Sequence, residues 1–232
     1  AAEMYSETIR AFNLAERFRL PVIVLADEAI GHLREKVEIG AETSVFGRIR
    51  ATGAAPFVAE TCDAIDAVPP MPAFGDGERL LVTGSTHDAR GYRRTSEADA
   101  QAMLVEHLTR KVLDHRDAYA RVERLLMGDD EELDVLFISF GFSARSAYRA
   151  AQTLRTEGCR AGLLRLCTLW PFDDQAVRAA TAKARRILVP EMNRGQALRE
   201  VQRLAPGARG CNRTDGEVIT PDDIVAAVRD WQ

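Results

Sequence analysis

Residues 163–196 decide the fold of this chain, because they hold two apolar runs that each end in a break and a polar cluster. The first part reads LLRLCTLWPF at 163–172, and the last part reads RRILVPEMNRGQ at 185–196. Polar residues collect at the carboxyl ends of strands in a parallel α/β sheet. The stretch therefore predicts two parallel strands joined by a helix, with a polar cluster around Glu191 and Asn193.

Strand and helix patterns alternate over residues 131–232. The sequence predicts strands at 133–140, 160–166, 186–189 and 209–212, and helices at 144–157, 175–184, 194–204 and 224–231. Capping and turn residues mark the breaks: Ser143, Gly158, Asp173, and Thr220 followed by Pro221. This βαβα series predicts an α/β domain at 131–232 with a right-handed, doubly wound parallel sheet.

The first 40 residues predict a fragment of another α/β domain. A helical stripe covers 7–18, the apolar run VIVLA at 22–26 is typical of a buried parallel strand, and a second helix is predicted at 30–37. One strand cannot bury two sheet faces. The segment is therefore either the rim of a larger sheet or the end of a domain whose beginning is missing, and we favour the missing beginning.

Residues 41–130 predict a linker between these two domains. Glycine and proline break residues 38–96 repeatedly, which indicates turn-rich structure with a short strand near 80–82. A helical pattern then continues from Ser96, a plausible N-cap, to residue 126. At about 30 residues this is long for a helix within a domain.

Composition excludes several classes of function. The net charge of −4 gives no basis for binding nucleic acid, and no apolar run reaches the roughly 20 residues of a membrane helix. The four cysteines form no Cys-x-x-Cys pair, and the four histidines show no metal-ligand spacing, so we expect no metal site within this chain. Without an export signal in the sequence, we expect reduced thiols and a cytoplasmic location.

The loop at 86–91 holds the first group of candidate site residues. His87 and Asp88 are adjacent, and Arg90 follows them before Gly91. A histidine beside a carboxylate could transfer protons. Adjacent residues seldom point at one substrate, however, and no nucleophile accompanies them. We favour a structural loop that pairs charges across a domain or subunit contact.

The second group of candidates is Glu191, Asn193 and Gln196, at the carboxyl edge of the predicted sheet, where α/β proteins bind ligands. They could contact a ligand, a partner chain or the next helix, and we favour structure or an interface. The turn after the first strand of this domain has one glycine, Gly141, where a dinucleotide-binding loop has three.

Several motifs in order resemble the alpha subunit of 2-oxoacid:ferredoxin oxidoreductases, with the 2-oxoglutarate branch the most similar. The motifs are TIRAFNLAE at 8–16, PVIVL at 21–25, TGSTHDARG at 83–91, LCTLWPF at 166–172, VPEMNRGQ at 189–196, NR at 212–213, DG at 215–216 and ITP at 219–221. The resemblance covers essentially the whole chain. It departs at Ala89, where the family commonly has glutamate, which weakens any role of this loop that needs the full charge pattern.

The resemblance implies oxidative decarboxylation of a 2-oxoacid to an acyl-CoA, with electrons passing to ferredoxin. It also implies that residues 1–40 are the end of a thiamine pyrimidine-binding domain and that 131–232 are a transketolase C-terminal-like domain. The family's thiamine-contacting motifs are not in this sequence. Its beta subunit holds the diphosphate end of thiamine, and the iron–sulfur cluster.

We therefore expect a subunit fragment that is inactive alone and binds no cofactor by itself. Thiamine diphosphate, Mg²⁺ and an iron–sulfur cluster are expected in the complete complex with a beta subunit, and CoA is expected as co-substrate. No catalytic or cofactor-binding residue can be assigned. The alternatives are a non-catalytic assembly or interaction module and, third, an independent nucleotide-binding domain.

Overall fold

A computed structural model describes residues 1–40, 44–50, 68, 70–77, 83–88 and 91–231. The chain divides into two compact units. Unit 1 comprises Ala1–Leu25 and Leu33–Arg116, and unit 2 comprises Ala26–His32 and Asp117–Gln232. The three-part division at residues 40 and 130 stays a prediction.

Unit 2 is built on one mixed sheet of five strands. The strands are β1 (Val122–Leu125), β2 (Val135–Ser139), β3 (Ala161–Leu166), β4 (Ile187–Glu191) and β5 (Arg209–Asn212), in the spatial order β1-β3-β2-β4-β5. β3, β2, β4 and β5 are parallel, and β1 pairs with β3 in antiparallel register. The connection after β2 runs to β3 on one side and the connection after β4 runs to β5 on the other side, so the topological switch point lies between β2 and β4.

Helices cover both faces of this sheet, which confirms the doubly wound α/β prediction. They are α5 (Gly141–Thr156), α6 (Asp174–Thr181), α7 (Gln196–Leu204) and α8 (Pro221–Arg229). In β2, Val135 and Phe137 pack with α5 and α8, whereas Leu136 and Ile138 pack with α6 and α7 on the other face. Burial on both faces explains why the strand sequence is a continuous apolar run.

Most of the local start and stop signals in this domain were predicted. Asp173 accepts a hydrogen bond from the Ala176 amide at 2.9 Å. Thr220 is the N-cap of α8 and forms a capping box with Asp223, and Pro221 is the first residue of the helix. Gly158, just beyond α5, has a φ of +87°, which only glycine adopts without strain. The Ser143 cap was wrong: α5 begins earlier, Phe140 is its N-cap, and Ser143 lies buried in its first turn.

In unit 1 the helices are α1 (Ala2–Phe18) and α3 (Ala98–Leu113). The prediction of a buried strand at 22–26 was wrong. These residues have no regular secondary structure, and Ile23 and Leu25 are 82% and 74% exposed. A strand is buried only where neighbouring strands supply hydrogen bonds and side chains, and the described residues of unit 1 include no sheet. The helix predicted at 30–37 is the shorter α2 (Glu28–His32), in unit 2.

The single helix predicted from Ser96 to residue 126 was also wrong. The structure has α3, then the short α4 (Arg116–Tyr119), and then strand β1. Val122 and Leu125, which fit the helical stripe, instead pair with Leu166 and Leu163 of β3. Hydrogen bonding along the open edge of β3 outweighs the helical pattern here. The strand predicted at 80–82 lies outside the described residues.

Candidate functional site

The four helices of unit 2 that follow parallel strands all begin at the carboxyl edge of the sheet. α5 follows β2, α6 follows β3, α7 follows β4 and α8 follows β5. This edge is where open α/β sheets bind ligands, and the N–H groups at a helix start attract anions. What occupies these four helix starts therefore decides what the edge can bind.

Glu191 occupies the start of α7. It is the last residue of β4, and its side chain is fully buried. Its two carboxylate oxygens each accept a hydrogen bond at 3.0 Å, from the backbone N–H groups of Ala197 and Leu198. A buried carboxylate is costly unless it is hydrogen-bonded, and the partial positive charge of the helix start stabilises it further. The Glu191 side chain is thus committed to the fold of its own chain.

The side chain of Asn193 accepts from the two amides that come just before Ala197 in the chain. Its Oδ1 atom accepts from the backbone N–H of Gly195 at 2.8 Å and of Gln196 at 3.1 Å. The Asn193 carbonyl accepts from the side-chain amide of Asn212 at 3.0 Å, which ties the loop to β5. Four consecutive amides, from residue 195 to residue 198, are therefore bonded to side chains of residues 191 and 193. The Gln196 side chain is exposed at the same place.

Carboxylates also stand at the starts of the other three helices. Asp173 caps α6, and Asp223 accepts from the Thr220 amide at 2.9 Å at the start of α8. Bonds from Thr220 hold the pKa of the Asp223 carboxyl below its usual range. At α5 the carboxylate is Asp27, which accepts from the Phe142 amide at 2.7 Å. At each of these helix starts a side chain of the chain itself thus accepts from a backbone amide where a phosphate could bind, which argues against an independent nucleotide-binding domain.

The loop with His87 and Asp88 forms a small hairpin in unit 1. The Asp88 amide donates to the Tyr92 carbonyl at 2.9 Å, and the Asp88 carboxylate accepts from the Tyr92 amide and from Nε of Arg94, both at 3.0 Å. His87 Nδ1 lies 2.9 Å from the Ser85 carbonyl oxygen. Asp88 therefore bonds to residues a few positions away in unit 1, and a charge pair across a domain or subunit contact stays a prediction. Arg90 lies outside the described residues.

Sequence reasoning missed two polar contacts of this edge. Ser139, at the end of β2, is buried and donates from Oγ to the Pro190 carbonyl at 2.7 Å, which joins the two strands at the switch point. Asp27 contacts a residue 115 positions later in the chain. A serine at a strand end and an aspartate after an apolar run give no signal of such distant partners.

Burial shifts the pKa of three other reactive groups, two thiols and one amine. Cys159, Cys167 and Cys211 are not joined in disulfides, and burial raises the pKa of Cys159 and of Cys211. Because the thiolate is the nucleophilic form, a raised pKa makes these two thiols less reactive. In unit 1, burial and the nearby Arg19 lower the pKa of Lys111 to about 8. In the part of the chain that the structure describes, no helix is both long and apolar enough to cross a membrane.

Two family models match this chain. The thiamine diphosphate-binding model of pyruvate flavodoxin/ferredoxin oxidoreductases matches residues 1–107, and the model of pyruvate:ferredoxin oxidoreductase core domain II matches residues 133–224. The second match covers most of the doubly wound sheet. Together with the relatives described next, these matches show that nearly the whole chain is similar in sequence to subunits of 2-oxoacid:ferredoxin oxidoreductases.

Curated relatives narrow the comparison. The chain is 41% identical over 226 residues to the 2-oxoglutarate synthase subunit KorA of Methanothermobacter marburgensis, covering 96% of the chain and 60% of the relative. It is 30% identical over 233 residues to the ketoisovalerate oxidoreductase subunit VorB of Methanothermobacter thermautotrophicus, covering 98% of the chain and 57% of the relative. The chain thus spans about three fifths of the length of the relatives it matches.

A solved structure has the same fold. The chain superimposes on 2-oxoglutarate:ferredoxin oxidoreductase from Magnetococcus marinus, a structure with 2-oxoglutarate, coenzyme A and succinyl-CoA bound, with a TM-score of 0.76 and 24% identity. The match covers 94% of this chain and 38% of that one. At this identity the match is evidence for the fold alone.

Proposed function

We propose that the chain is part of the alpha subunit of a 2-oxoglutarate:ferredoxin oxidoreductase. Such an enzyme decarboxylates the 2-oxoacid oxidatively to an acyl-CoA and passes the electrons to ferredoxin. The observation that carries the proposal is 41% identity to a KorA subunit over 96% of the chain. Identity to the two VorB subunits, at 30% and 28%, is lower, which favours 2-oxoglutarate over a branched-chain 2-oxoacid.

The proposed cofactors are thiamine diphosphate, with Mg²⁺, and an iron–sulfur cluster, with CoA as co-substrate. The match of residues 1–107 to a thiamine diphosphate-binding model supports the first. In such enzymes thiamine supplies the stabilised carbanion. At the carboxyl edge of unit 2, each helix start has a backbone amide that donates to a carboxylate of the chain itself. These carboxylates belong to Asp27, Asp173, Glu191 and Asp223. Their negative charge would repel a diphosphate, so these helix starts do not fit that group. We therefore assign no cofactor contact to these residues.

The cysteines of unit 2 do not fit an iron–sulfur cluster. Cys159 precedes β3 and Cys167 follows it. A six-residue strand separates them by about 20 Å, at roughly 3.3 Å per residue, whereas one cluster needs its thiolates around a single centre. The proposal therefore places the cluster in the partner beta subunit, from which electrons pass to ferredoxin. A cytoplasmic location stays a prediction.

The exposed apolar run at residues 22–25 supports the expectation that the chain alone is inactive. It comprises Val22, Ile23, Val24 and Leu25, which are between 36% and 82% exposed. Such a run in an uncovered position is typical of a surface that another protein segment covers. The same observation also favours the second candidate, a non-catalytic assembly module. Under both functions Glu191, Asn193 and Gln196, with His87 and Asp88, are proposed to serve structure or an interface.

A dye-reduction assay separates the two candidates. The chain is assayed alone, and then together with a beta subunit and the part of a KorA relative that the chain does not span. Each sample receives thiamine diphosphate, Mg²⁺, CoA, 2-oxoglutarate and a viologen dye. We expect no reduction by the chain alone and 2-oxoglutarate-dependent reduction by the assembly. Turnover by the chain alone would refute the expected inactivity. An assembly that does not reduce the dye with 2-oxoglutarate would count against the proposed enzyme and favour the assembly module.

A further inference from the structure

Asp27 is the one carboxylate among the four at the helix starts whose partner is distant in sequence. Asp173 and Asp223 bond amides three residues away, and the two amides bonded by Glu191 are six and seven residues away. Asp27 bonds the amide of Phe142, 115 residues later, with Oδ2 at 2.7 Å. A local carboxylate forms a helix cap, whereas a distant one also joins two segments of the chain.

The start of α5 leaves space for the Asp27 carboxylate and has no carboxylate of its own. Its N-cap residue Phe140 makes no side-chain capping bond, and its first turn contains no acidic residue. Gly141 has a φ of +54°, and a Cβ atom added there would overlap the Asp27 carboxylate. A side chain larger than hydrogen at residue 141 would therefore displace Asp27. Both the missing local cap and the glycine leave room for Asp27.

The backbone of Asp27 contributes as well. Its carbonyl accepts from the Ile30 amide at 3.1 Å and the Gly31 amide at 3.0 Å, which begins α2. One residue therefore starts α2 with its carbonyl and holds α5 with its carboxylate. Accordingly Ala26–His32 belongs to the same compact unit as the sheet, although the residues on either side of it belong to unit 1.

We infer that Asp27 is a latch that fixes the segment Ala26–His32 on the first turn of α5, with Gly141 as its matching site. The latch bond is charge-assisted, because an ionised carboxylate accepts from a helix-start amide. It rests on these contacts alone and does not depend on the proposed function. The segment that carries Asp27 lies within the thiamine diphosphate-binding match, and α5 lies within the core domain II match. The latch thus joins portions of the chain that two different family models describe.

Hydrogen exchange of the full 232-residue chain tests the latch. Loss of a charge-assisted bond worth roughly 1.5–3 kcal/mol corresponds to about a 10-fold to 100-fold faster local opening. We expect Asp27→Ala to speed exchange of the hydrogen-bonded amides of this segment, those of Ile30 and Gly31, and of the Phe142 amide by that factor, while β2 stays protected. Asp27→Asn, which keeps one carbonyl oxygen but no charge, is expected to have a smaller effect in the same amides.

Two further variants make the test specific. Gly141→Ala is expected to speed exchange of residues 26–32 as Asp27→Ala does, and the double variant to add little, because both changes break one contact. Asp173→Ala removes a carboxylate cap of the same kind from α6 and is expected to leave residues 26–32 unchanged. Unchanged exchange of residues 26–32 in both Asp27 variants would overturn the latch. An equal acceleration by Asp173→Ala would also overturn it.

Discussion

Two apolar pentapeptides of this chain have nearly the same character and opposite surroundings. Residues 22–26 read VIVLA, and β2 reads VLFIS at Val135–Ser139. All five residues of β2 are buried, whereas Ile23 and Leu25 are 82% and 74% exposed. Both sequences suit a strand that is buried on two faces. Of these two segments, β2 alone has strands on both sides and helices on both faces.

An apolar run therefore forms a buried strand only where adjacent strands and covering helices are present. β2 pairs with β3 along five residues and also with β4, so its backbone groups are bonded in the ladder. Its side chains enter two separate clusters, one on each face of the sheet. Residues 22–26 have neither, and the described residues of unit 1 contain no sheet that could supply them. Their side chains therefore contribute little to the stability of this chain.

The largest expected effect comes from truncating matched side chains in the two pentapeptides. Phe137→Ala removes a fully buried ring from the centre of β2 and should lower the free energy of unfolding by about 3–5 kcal/mol. Ile23→Ala, at an exposed position, should change it by less than about 0.5 kcal/mol. Urea unfolding followed by far-UV circular dichroism measures both. Comparable losses would show that residues 22–26 are packed and would break the comparison.

The second-largest expected loss of stability comes from the start of α7, which is bonded to Glu191, the last residue of β4. Glu191→Ala leaves the amides of Ala197 and Leu198 without their acceptor, so we expect a loss of about 3 kcal/mol. Glu200→Ala is the matched control, because Glu200 lies on the exposed side of the same helix and forms an ion pair with the nearby Arg203. Its loss should stay below about 0.5 kcal/mol. Equal losses in the two variants would contradict a structural role for the Glu191 carboxylate.

The smallest expected effect is the loss of stability in acid that comes from Asp134, the residue before β2. Bonds from Arg160, in both side chain and backbone, hold the pKa of the Asp134 carboxyl well below its usual range. A lowered carboxyl pKa gives stability that is present above the unfolded pKa, near 3.9, and is lost as pH falls towards the folded pKa. Asp134→Asn should cost about 1 kcal/mol at pH 7. It should also flatten the fall of the urea midpoint below about pH 4. An unchanged acid dependence would contradict this prediction.

The sequence predicted the fold of residues 131–232 well because its signals are local. The apolar runs of β2, β3 and β4, the Asp173 cap and the Thr220 capping box each depend on residues a few positions apart. Such signals survive without knowledge of the tertiary fold. The resemblance noted from the motifs around residues 83–91 and 189–196 agrees with the family matches.

The errors fall where distant contacts decide the structure. β1 became a strand because the edge of β3 was open to it, although its residues fit a helical stripe. Asp27 looks like a strand-end aspartate, yet its partner Phe142 lies 115 residues away. Glu191 and Asn193 lie at the carboxyl edge as the sequence predicted, but the hydrogen bonds of their side chains to the start of α7 are seen only in the structure. Periodicity and capping rules contain no term for such pairings.

Hydrogen exchange of residues 22–25, measured beside that of residues 135–139 in the 232-residue chain, shows whether the two pentapeptides differ in their neighbours. We expect the amides at 22–25 to exchange almost as fast as those of an unfolded peptide. The amides of β2 should exchange only through the largest openings of unit 2. Protection of residues 22–25 equal to that of β2 would contradict the account, because it would show that the first pentapeptide has found its neighbours within this chain.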